Sequence, residues 1–286
     1  MSDLKLRSVT AADAEELGNI CYTAFKTISE KHNFPPDFPS PEPAIGLMGM
    51  MTSIPGIYGV AAEIDGELAG SNFLWEADDI AGIGPITIDP QLQNGSIGKE
   101  LMIDVIRRGE EQGFLSIRLV QAAYHNRSLA LYTKLGFNTV EPLSQINGEP
   151  VNISIEGRTV RLLTVEDIEA ADALCRSVHG HSRKNEIAGS AERGTGLVVI
   201  NSGRITGYTT ILGFFGHTVG ESNDDLKAMI GSGVQIAGSG FLLPTRNSEL
   251  MRWCLANGLR IVQPMTLMSR GVYQEPRGAF MPSILF

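Results

Sequence analysis

A short run of small and polar residues, Gln93-Asn-Gly-Ser-Ile-Gly98-Lys99, stands directly after an apolar run, Ile83 to Ile88. The continuous apolar character of the earlier run predicts a buried central strand. From about Ser96 the apolar residues recur at helical spacing; they are Ile97, Leu101 and Val105. A loop that enters a helix in this way directs unpaired backbone amides and the positive helix end at one spot. Small residues let an anion approach that backbone closely, so the segment predicts a pyrophosphate site.

Two other phosphate motifs can be compared with this loop. A nucleotide P-loop would need Gly at position 93 and Ser or Thr at position 100, where the chain has Gln93 and Glu100. The dinucleotide pattern Gly-x-Gly-x-x-Gly is also absent from the sequence. A helix cap that binds no ligand stays open as an alternative from this loop alone.

A second segment with chemical potential is His125-Asn-Arg-Ser-Leu-Ala-Leu-Tyr132-Thr-Lys-Leu-Gly136-Phe137. Its polar start and its closing glycine predict a helix between two strands, because glycine commonly ends a helix in the left-handed conformation. The preceding strand is predicted over Leu115 to Gln121. The segment therefore places a tyrosine on a helix that follows the phosphate loop by one strand.

Together these motifs resemble the Gcn5-related N-acetyltransferase (GNAT) family. The family's acyl-CoA loop, Gln/Arg-x-x-Gly-x-Gly/Ala, is similar to Gln93 to Gly98, with Ser96 at the first glycine. Its later signature, Leu-Tyr-x-Lys-Leu-Gly-Phe, matches the segment that ends at Phe137 letter for letter. The resemblance covers the whole first half and implies acetyl-CoA as cosubstrate.

The resemblance also implies roles for individual residues. The strand before the loop would hold the pantetheine arm, and a backbone amide near Ile88 would stabilise the tetrahedral oxyanion. Tyr132 aligns with a tyrosine that protonates the leaving thiolate, although a purely core tyrosine is the alternative. His125 and Asn126 compete for a cofactor contact. The implied cofactor-binding residues are Ile86, Thr87, Ile88, Gln93, Asn94, Gly95, Ser96, Ile97, Gly98, Lys99, Asn126 and Tyr132.

The general base is the least defined part of this interpretation, since the attacking amine must be neutral. No acidic residue lies between Gly82 and Ile88. Glu76 is the candidate base, and Asp78, Asp79 and His32 are further candidates. Each of the three acidic residues has the alternative of a solvated loop residue.

Three segments of the first half resemble three segments of the second half, in the same order along the chain. We call each pair an echo, and together the echoes predict a duplicated fold. They pair residues 7–13 with 161–167, residues 64–70 with 201–207, and residues 84–90 with 238–244. The fold class is therefore α/β of the mixed α+β kind, with two tandem GNAT-like domains. Each domain is expected to have a mostly antiparallel, mixed central sheet flanked by helices.

The domain boundary is expected in the turn-rich stretch near Gly148 to Gly157, which gives domains of residues 1–151 and 152–286. In the second domain, Thr245-Arg-Asn-Ser follows the strand that ends at Pro244, so no acyl-CoA loop is predicted there. Its expected role is to close the substrate pocket and complete the sheet. The proline-rich residues 33–43 are expected to be a loop, either on the substrate side of the site or as a surface connector, and the tail, residues 264–273 and 279–286, a pair of strands.

The composition of the chain limits the kinds of partner that we expect the protein to bind. The net charge of −9 opposes nucleic acid or an anionic membrane as the main partner. No apolar run is long enough to span a membrane, no secretory signal is apparent, and the three cysteines lack metal-ligand spacing. We therefore expect a cytoplasmic monomer or homodimer that uses no metal.

The leading functional hypothesis is an N-acetyltransferase that moves acetyl from acetyl-CoA to a primary amine of a small molecule or peptide by direct attack in a ternary complex. The alternative is a non-catalytic acyl-CoA sensor or binding module, in which Tyr132 is structural. An acyl group other than acetyl is a third possibility, which depends on the space near Ile86.

Overall fold

The structure is a computed structural model that describes residues 4–93 and 96–285. It is a mixed α/β fold in which the same order of elements occurs twice. The first half contains, in chain order, β1 (Leu4–Ser8), α1 (Ala14–Lys31), α2 (Pro41–Met51), β2 (Ile57–Ile64), β3 (Glu67–Trp75), β4 (Ala81–Ile83), β5 (Thr87–Ile88), α3 (Ile97–Glu111), β6 (Ser116–Ala122), α4 (Asn126–Lys134) and β7 (Asn138–Asn147). The second half contains β8 (Thr159–Leu162), α5 (Ile168–His179), α6 (Lys184–Arg193), β9 (Leu197–Asn201), β10 (Arg204–Thr209), β11 (Thr218–Gly220), α7 (Asn223–Ile230), β12 (Phe241–Pro244), α8 (Ser248–Ala256), β13 (Arg260–Gly271) and β14 (Ala279–Met281).

The first echo in the sequence is confirmed by identical local structure. Asp13 and Asp167 each follow a single 3-10 turn and accept hydrogen bonds from the backbone of the threonine three residues earlier, at 2.7 and 2.9 Å. Each also forms an ion pair with the arginine six residues earlier. These bonds satisfy the free amides at the helix start.

The larger sheet is shared by the two halves. Its strand order is β1-β2-β3-β4-β6-β13-β7-β12, with β5 paired to β3, and the pairing of β4 with β6 is parallel while the others are antiparallel. Strand β13 of the second half thus lies between β6 and β7 of the first. The smaller sheet has the order β14-β11-β10-β9-β8 and is antiparallel throughout.

This topology corrects two expectations. The third echo paired the strand before the phosphate loop with β12, but the order of elements makes β12 the counterpart of β6. The true counterpart of the loop is the two-residue connection Glu221-Ser222 between β11 and α7. The tail strands were expected to pair with each other; instead β13 pairs with β6 and β7, and β14 pairs with β11.

The proline-rich residues 33–43 were expected to be a loop throughout, but their last three residues are helical. Helix α2 begins at Pro41, so only residues 33–40 lie outside helices. Proline is tolerated in a first helical turn because that position has no intrahelical partner for an N–H group. Among the described residues, no helix combines the length and the apolar character needed to cross a membrane.

Candidate active site

The site begins where two neighbouring strands separate. Strands β4 and β6 run in register as far as Ile83, which lies opposite Leu119. The chain then leaves β6, and Thr87 and Ile88 pair with β3 only, within the part of the chain that the structure describes. The gap opens into a cavity of about 620 Å³, lined on one side by residues 83–88 and on the other by residues 119–122. A narrow ligand could therefore lie between the two strands against their backbone edges.

The N-terminus of α3 forms one end of this cleft. Gln93, Ile97, Gly98 and Lys99 line the cavity, and the Gln93 side-chain amide donates to the backbone oxygen of Ile88 at 3.3 Å. A Cβ atom at position 98 would lie 2.8 Å from the Cδ1 atom of Ile88, so glycine permits the helix to approach that strand. Ser96 is exposed and is not a lining residue, and Asn94 and Gly95 lie outside the described residues.

The start of α4 forms the facing wall. Asn126, Ser128 and Tyr132 line the cavity, as does His125, which directly precedes the helix. Ser128 forms side-chain hydrogen bonds with both the Tyr132 hydroxyl and Nδ1 of His125. These three polar groups thus form a continuous hydrogen-bond network from the buried phenol to the helix start.

The protonation states of Tyr132 and His125 follow from the burial of their side chains. Burial raises the pKa of Tyr132 to about 12, and the hydrogen bond with Ser128 opposes that rise. Burial also lowers the pKa of His125 to about 4, with further contributions from the nearby charges of Arg127, His32 and Lys31. At neutral pH the phenol is therefore protonated and the imidazole is neutral.

The family model described as "Acetyltransferase (GNAT) family" matches residues 25–137, which contain the separated strands, α3 and α4. This segment is therefore similar to GNAT acetyltransferase domains. A comparison with proteins of curated function returned no match.

Solved structures share the fold over nearly the full chain. One is a putative acetyltransferase from Pyrococcus horikoshii, with 16% identity, a TM-score of 0.74, and coverage of 96% of this chain and 94% of that one. Another is a GCN5-related N-acetyltransferase from Sphaerobacter thermophilus, with 14% identity, a TM-score of 0.62, and coverage of 95% and 96%. The fold similarity thus includes the second half as well as residues 25–137.

Two polar groups in the cleft have no hydrogen-bond partner among the described residues. They are the Thr87 hydroxyl and the side-chain amide of Gln121, both buried and both among the lining residues. Buried polar groups are seldom left without partners, because each costs about 1–3 kcal/mol. Their position on opposite walls fits an amide-bearing arm such as pantetheine, which could bond to both strands.

The three acidic candidates for the base lie outside the cavity lining. Glu76 accepts two hydrogen bonds from the Arg108 guanidinium, at 2.7 and 2.9 Å, and is not a lining residue of the cavity. Its position therefore does not support the base role. Asp78 accepts from the backbone amides of Asn185 and Glu186 at the start of α6, and Asp79 accepts from the backbone of Ser182. Both aspartates join the two halves of the chain.

His32 does line the cavity, together with residues that the sequence analysis missed. Asp37, Tyr124 and Gln121 come from the first half, while the second half contributes Phe214, Phe215, Gln263, Met265, Ile284 and Leu285. No local pattern singles out these residues, because tertiary contacts bring the second group to the cleft; Gln263 and Met265 lie on the exchanged strand β13, and the other four lie on loops. Within residues 4–93 and 96–285, no group of three or more His, Cys, Asp or Glu side chains is arranged to hold a metal ion.

Proposed function

We propose that the chain transfers acetyl from acetyl-CoA to a primary amine of a small molecule or peptide, in a ternary complex. The observation that carries this proposal is the continuous cleft from the start of α3, between β5 and β6, to the buried hydroxyl of Tyr132. It offers a binding surface for a phosphate group, a slot for a thioester arm and a proton donor in one cavity.

Coenzyme A fits the residues that are present. The amides at the start of α3, around Ile97 to Lys99, suit the pyrophosphate, since a helix N-terminus carries about half a positive charge. The Thr87 hydroxyl and the Gln121 amide would bond to the pantetheine arm. In the second half the corresponding helix start is closed, because the buried Asp225 carboxylate accepts from the Ser222 backbone at 2.9 Å and pairs with Arg158. We therefore assign cofactor binding to the first half alone.

The reaction requires one bond to form and one to break. The neutral amine nitrogen attacks the thioester carbonyl carbon, and the resulting oxyanion is stabilised by a backbone amide near Ile88. As the C–S bond breaks, Tyr132 gives its proton to the leaving sulfur, and the attacking nitrogen loses its extra proton to water. The hydrogen bonds through Ser128 to His125 supply a route by which the phenolate regains a proton.

The raised pKa of Tyr132 matters for this role. A donor must hold its proton until the thiolate forms, and a pKa of about 12 keeps the phenol protonated across the neutral range. Charge that develops on sulfur beside the phenol would favour the transfer only at that moment. Tyr132 would thus serve the transition state more than the bound substrate.

The test is a Tyr132→Phe variant, with Tyr58→Phe as its matched control. Tyr58 donates its hydroxyl to Asp104 at 2.6 Å and does not line the cleft. We expect Tyr132→Phe to lower kcat by about 10² to 10⁴ while calorimetric binding of coenzyme A is unchanged, because general acid catalysis contributes about that much. Thiol release with a panel of amines measures turnover.

Other results would change the assignment. Coenzyme A binding without turnover of any amine by the wild-type protein would favour a non-catalytic acyl-CoA sensor. Equal turnover by the Tyr132→Phe and Tyr58→Phe variants would remove Tyr132 from the chemistry. An absence of coenzyme A binding would refute the proposal as a whole.

A further inference from the structure

One carboxylate faces the cleft. Among the described lining residues Asp37 is the single aspartate or glutamate, and it lies in the connection between α1 and α2. Its one hydrogen bond to a described residue is a long one, 3.3 Å from Nε2 of Gln263. An ionised carboxylate can accept about four hydrogen bonds, so most of its capacity is unused.

The position of Asp37 is held from both halves of the chain. Gln263 comes from β13, and its amide is fixed by two shorter bonds, from the Tyr124 hydroxyl at 2.8 Å and to Oε1 of Gln145 at 2.7 Å. Tyr124 also stacks on Phe34, with ring centroids 4.3 Å apart, which anchors the loop that carries Asp37. Gln263 is therefore held in place next to Asp37, which has hydrogen-bonding capacity left for a ligand.

The cationic side chains and the carboxylate that line the described cleft come from different elements. Lys99 lies in the first turn of α3 and Arg127 in the first turn of α4, at the end we assign to the phosphates, and Lys31 is the last residue of α1. Asp37 lies in the connection that follows α1, beside Gln263 of β13. A negative group is favoured beside the cations and a positive group beside Asp37.

The surroundings of Asp37 are otherwise apolar. The cavity walls there include Phe25, Phe38 and Leu47 from α1, α2 and the loop between them. Phe214 and Met265 come from the second half and pack together in one cluster. Burial in this environment raises the pKa of Asp37, with the Gln263 hydrogen bond acting in the opposite direction. A cationic ligand would relieve the cost of that buried charge.

We infer that Asp37 binds the ammonium group of the acceptor before that group loses one proton to water and attacks as the neutral amine, and that the acceptor is a small, positively charged amine with an apolar body. Gln263 is a positioning residue, because it touches Asp37 and not the reacting atoms. The inference rests on the proposed function for the identity of this ligand as the acceptor. It assigns to the second half a direct share in acceptor recognition.

The experiment measures binding and turnover separately in the full-length protein. The binding probe is the N,N,N-trimethyl derivative of 2-phenylethylamine, which cannot be acetylated, titrated by calorimetry in the presence of coenzyme A. The reacting probe is 2-phenylethylamine with acetyl-CoA. The variants are Asp37→Asn, Gln263→Met and the control Asp224→Asn, an exposed aspartate on α7.

We expect Asp37→Asn to weaken binding of the trimethylammonium probe by about tenfold to a hundredfold, since one partner of a charged pair is lost. The KM for 2-phenylethylamine should rise in parallel, with binding of coenzyme A unchanged. Gln263→Met should give a smaller rise, and Asp224→Asn none. The neutral analogue 2-phenylethanol should bind weakly to the wild type and equally weakly to Asp37→Asn.

Two results would overturn the inference: equal affinity of the wild type and Asp37→Asn for the cationic probe, or binding of the alcohol as tight as that of the cation. No detectable binding of the cationic probe by the wild type would also overturn it. If Asp37-dependent binding is seen but no amine is acetylated, the proposed function fails and not the binding site.

Discussion

The narrowest contact that shapes the cleft is the approach of β3 to β5 at Gly70. An ideal Cβ atom at this position would lie 2.2 Å from the backbone oxygen of Thr87 and 3.0 Å from Cα of Ile88. Both obstacles are backbone atoms, so neither can turn aside as a side chain would. Gly70→Ala must therefore displace β5 by about 1 Å to reach ordinary van der Waals separation.

The cost of that displacement has two parts. Overpacking of this kind costs about 1–3 kcal/mol of the free energy of unfolding. For a chain of this size such a loss lowers Tm by about 2–10 °C. In addition, Thr87 forms a wall of the cleft, and a shift of about 1 Å near reacting groups can lower kcat/KM by about 10².

The assay combines thermal unfolding with steady-state kinetics in acetyl-CoA. Gly46→Ala is the matched control, since Gly46 is exposed on α2 and a Cβ atom there meets nothing within 4 Å. That variant should be unchanged in KM and more stable by about 0.5–1 kcal/mol, because alanine is the better helix former. A Gly70→Ala protein with the Tm and the acetyl-CoA KM of the wild type would refute the idea that the position of β5 defines the cleft.

Three further outcomes follow from the structure. Glu76→Gln should lower stability by about 1 kcal/mol through its lost ion pair with α3 and leave the pH profile of kcat unchanged, whereas loss of one limb of that profile would restore Glu76 as the base. The buried histidines are His179, His181 and His217. Burial lowers the pKa of all three, that of His181 to about 3, so the unfolded chain binds more protons below pH 6.5. Urea unfolding should show no change in stability from these groups between pH 8 and about pH 6.5; from there down to pH 5, stability should fall by about 1.4 kcal/mol for each unit that the pH is lowered, for each neutral imidazole, and a flat profile below pH 6.5 would contradict this. Residues 1–151 expressed alone should lack a cooperative thermal transition by circular dichroism, since β13 is missing from their sheet, and a sharp transition would show that the half folds by itself.

The part of the site that the sequence predicted well is local. The helical spacing from Ile97 onwards and the helix that carries Tyr132 and stops shortly before Gly136 each lie within one short segment of the chain. The apolar run from Ile83 to Ile88 was predicted as one strand, but the structure divides it into β4 and β5 where the chain leaves β6. Patterns of this kind reflect backbone geometry within one turn or strand, so they can be recognised without knowledge of the tertiary fold.

The part that the sequence did not predict depends on contacts between distant segments. Gln263 meets Asp37 across 226 positions, and nothing in the residues around either one indicates that meeting. The pairing of residues 84–90 with residues 238–244, the third echo, was wrong for a related reason. Short apolar runs closed by proline are similar wherever they occur, and only the count of elements showed that β12 corresponds to β6.

Strand exchange explains why the two halves of the chain have diverged in such different ways. Strand β13 pairs with β6 from Met265 to Gly271 and with β7 from Arg260 to Ser269, so it forms the centre of a sheet that the first half alone leaves divided. The second half must therefore retain its late strands, whatever happens to its own helix start at Asp225. Because β13 lies beside β6, Gln263 and Met265 line the cleft near the group we propose for acceptor binding. On that proposal, the second half shapes the site without a phosphate-binding helix start of its own, since the same strand that completes the sheet carries Gln263 to Asp37.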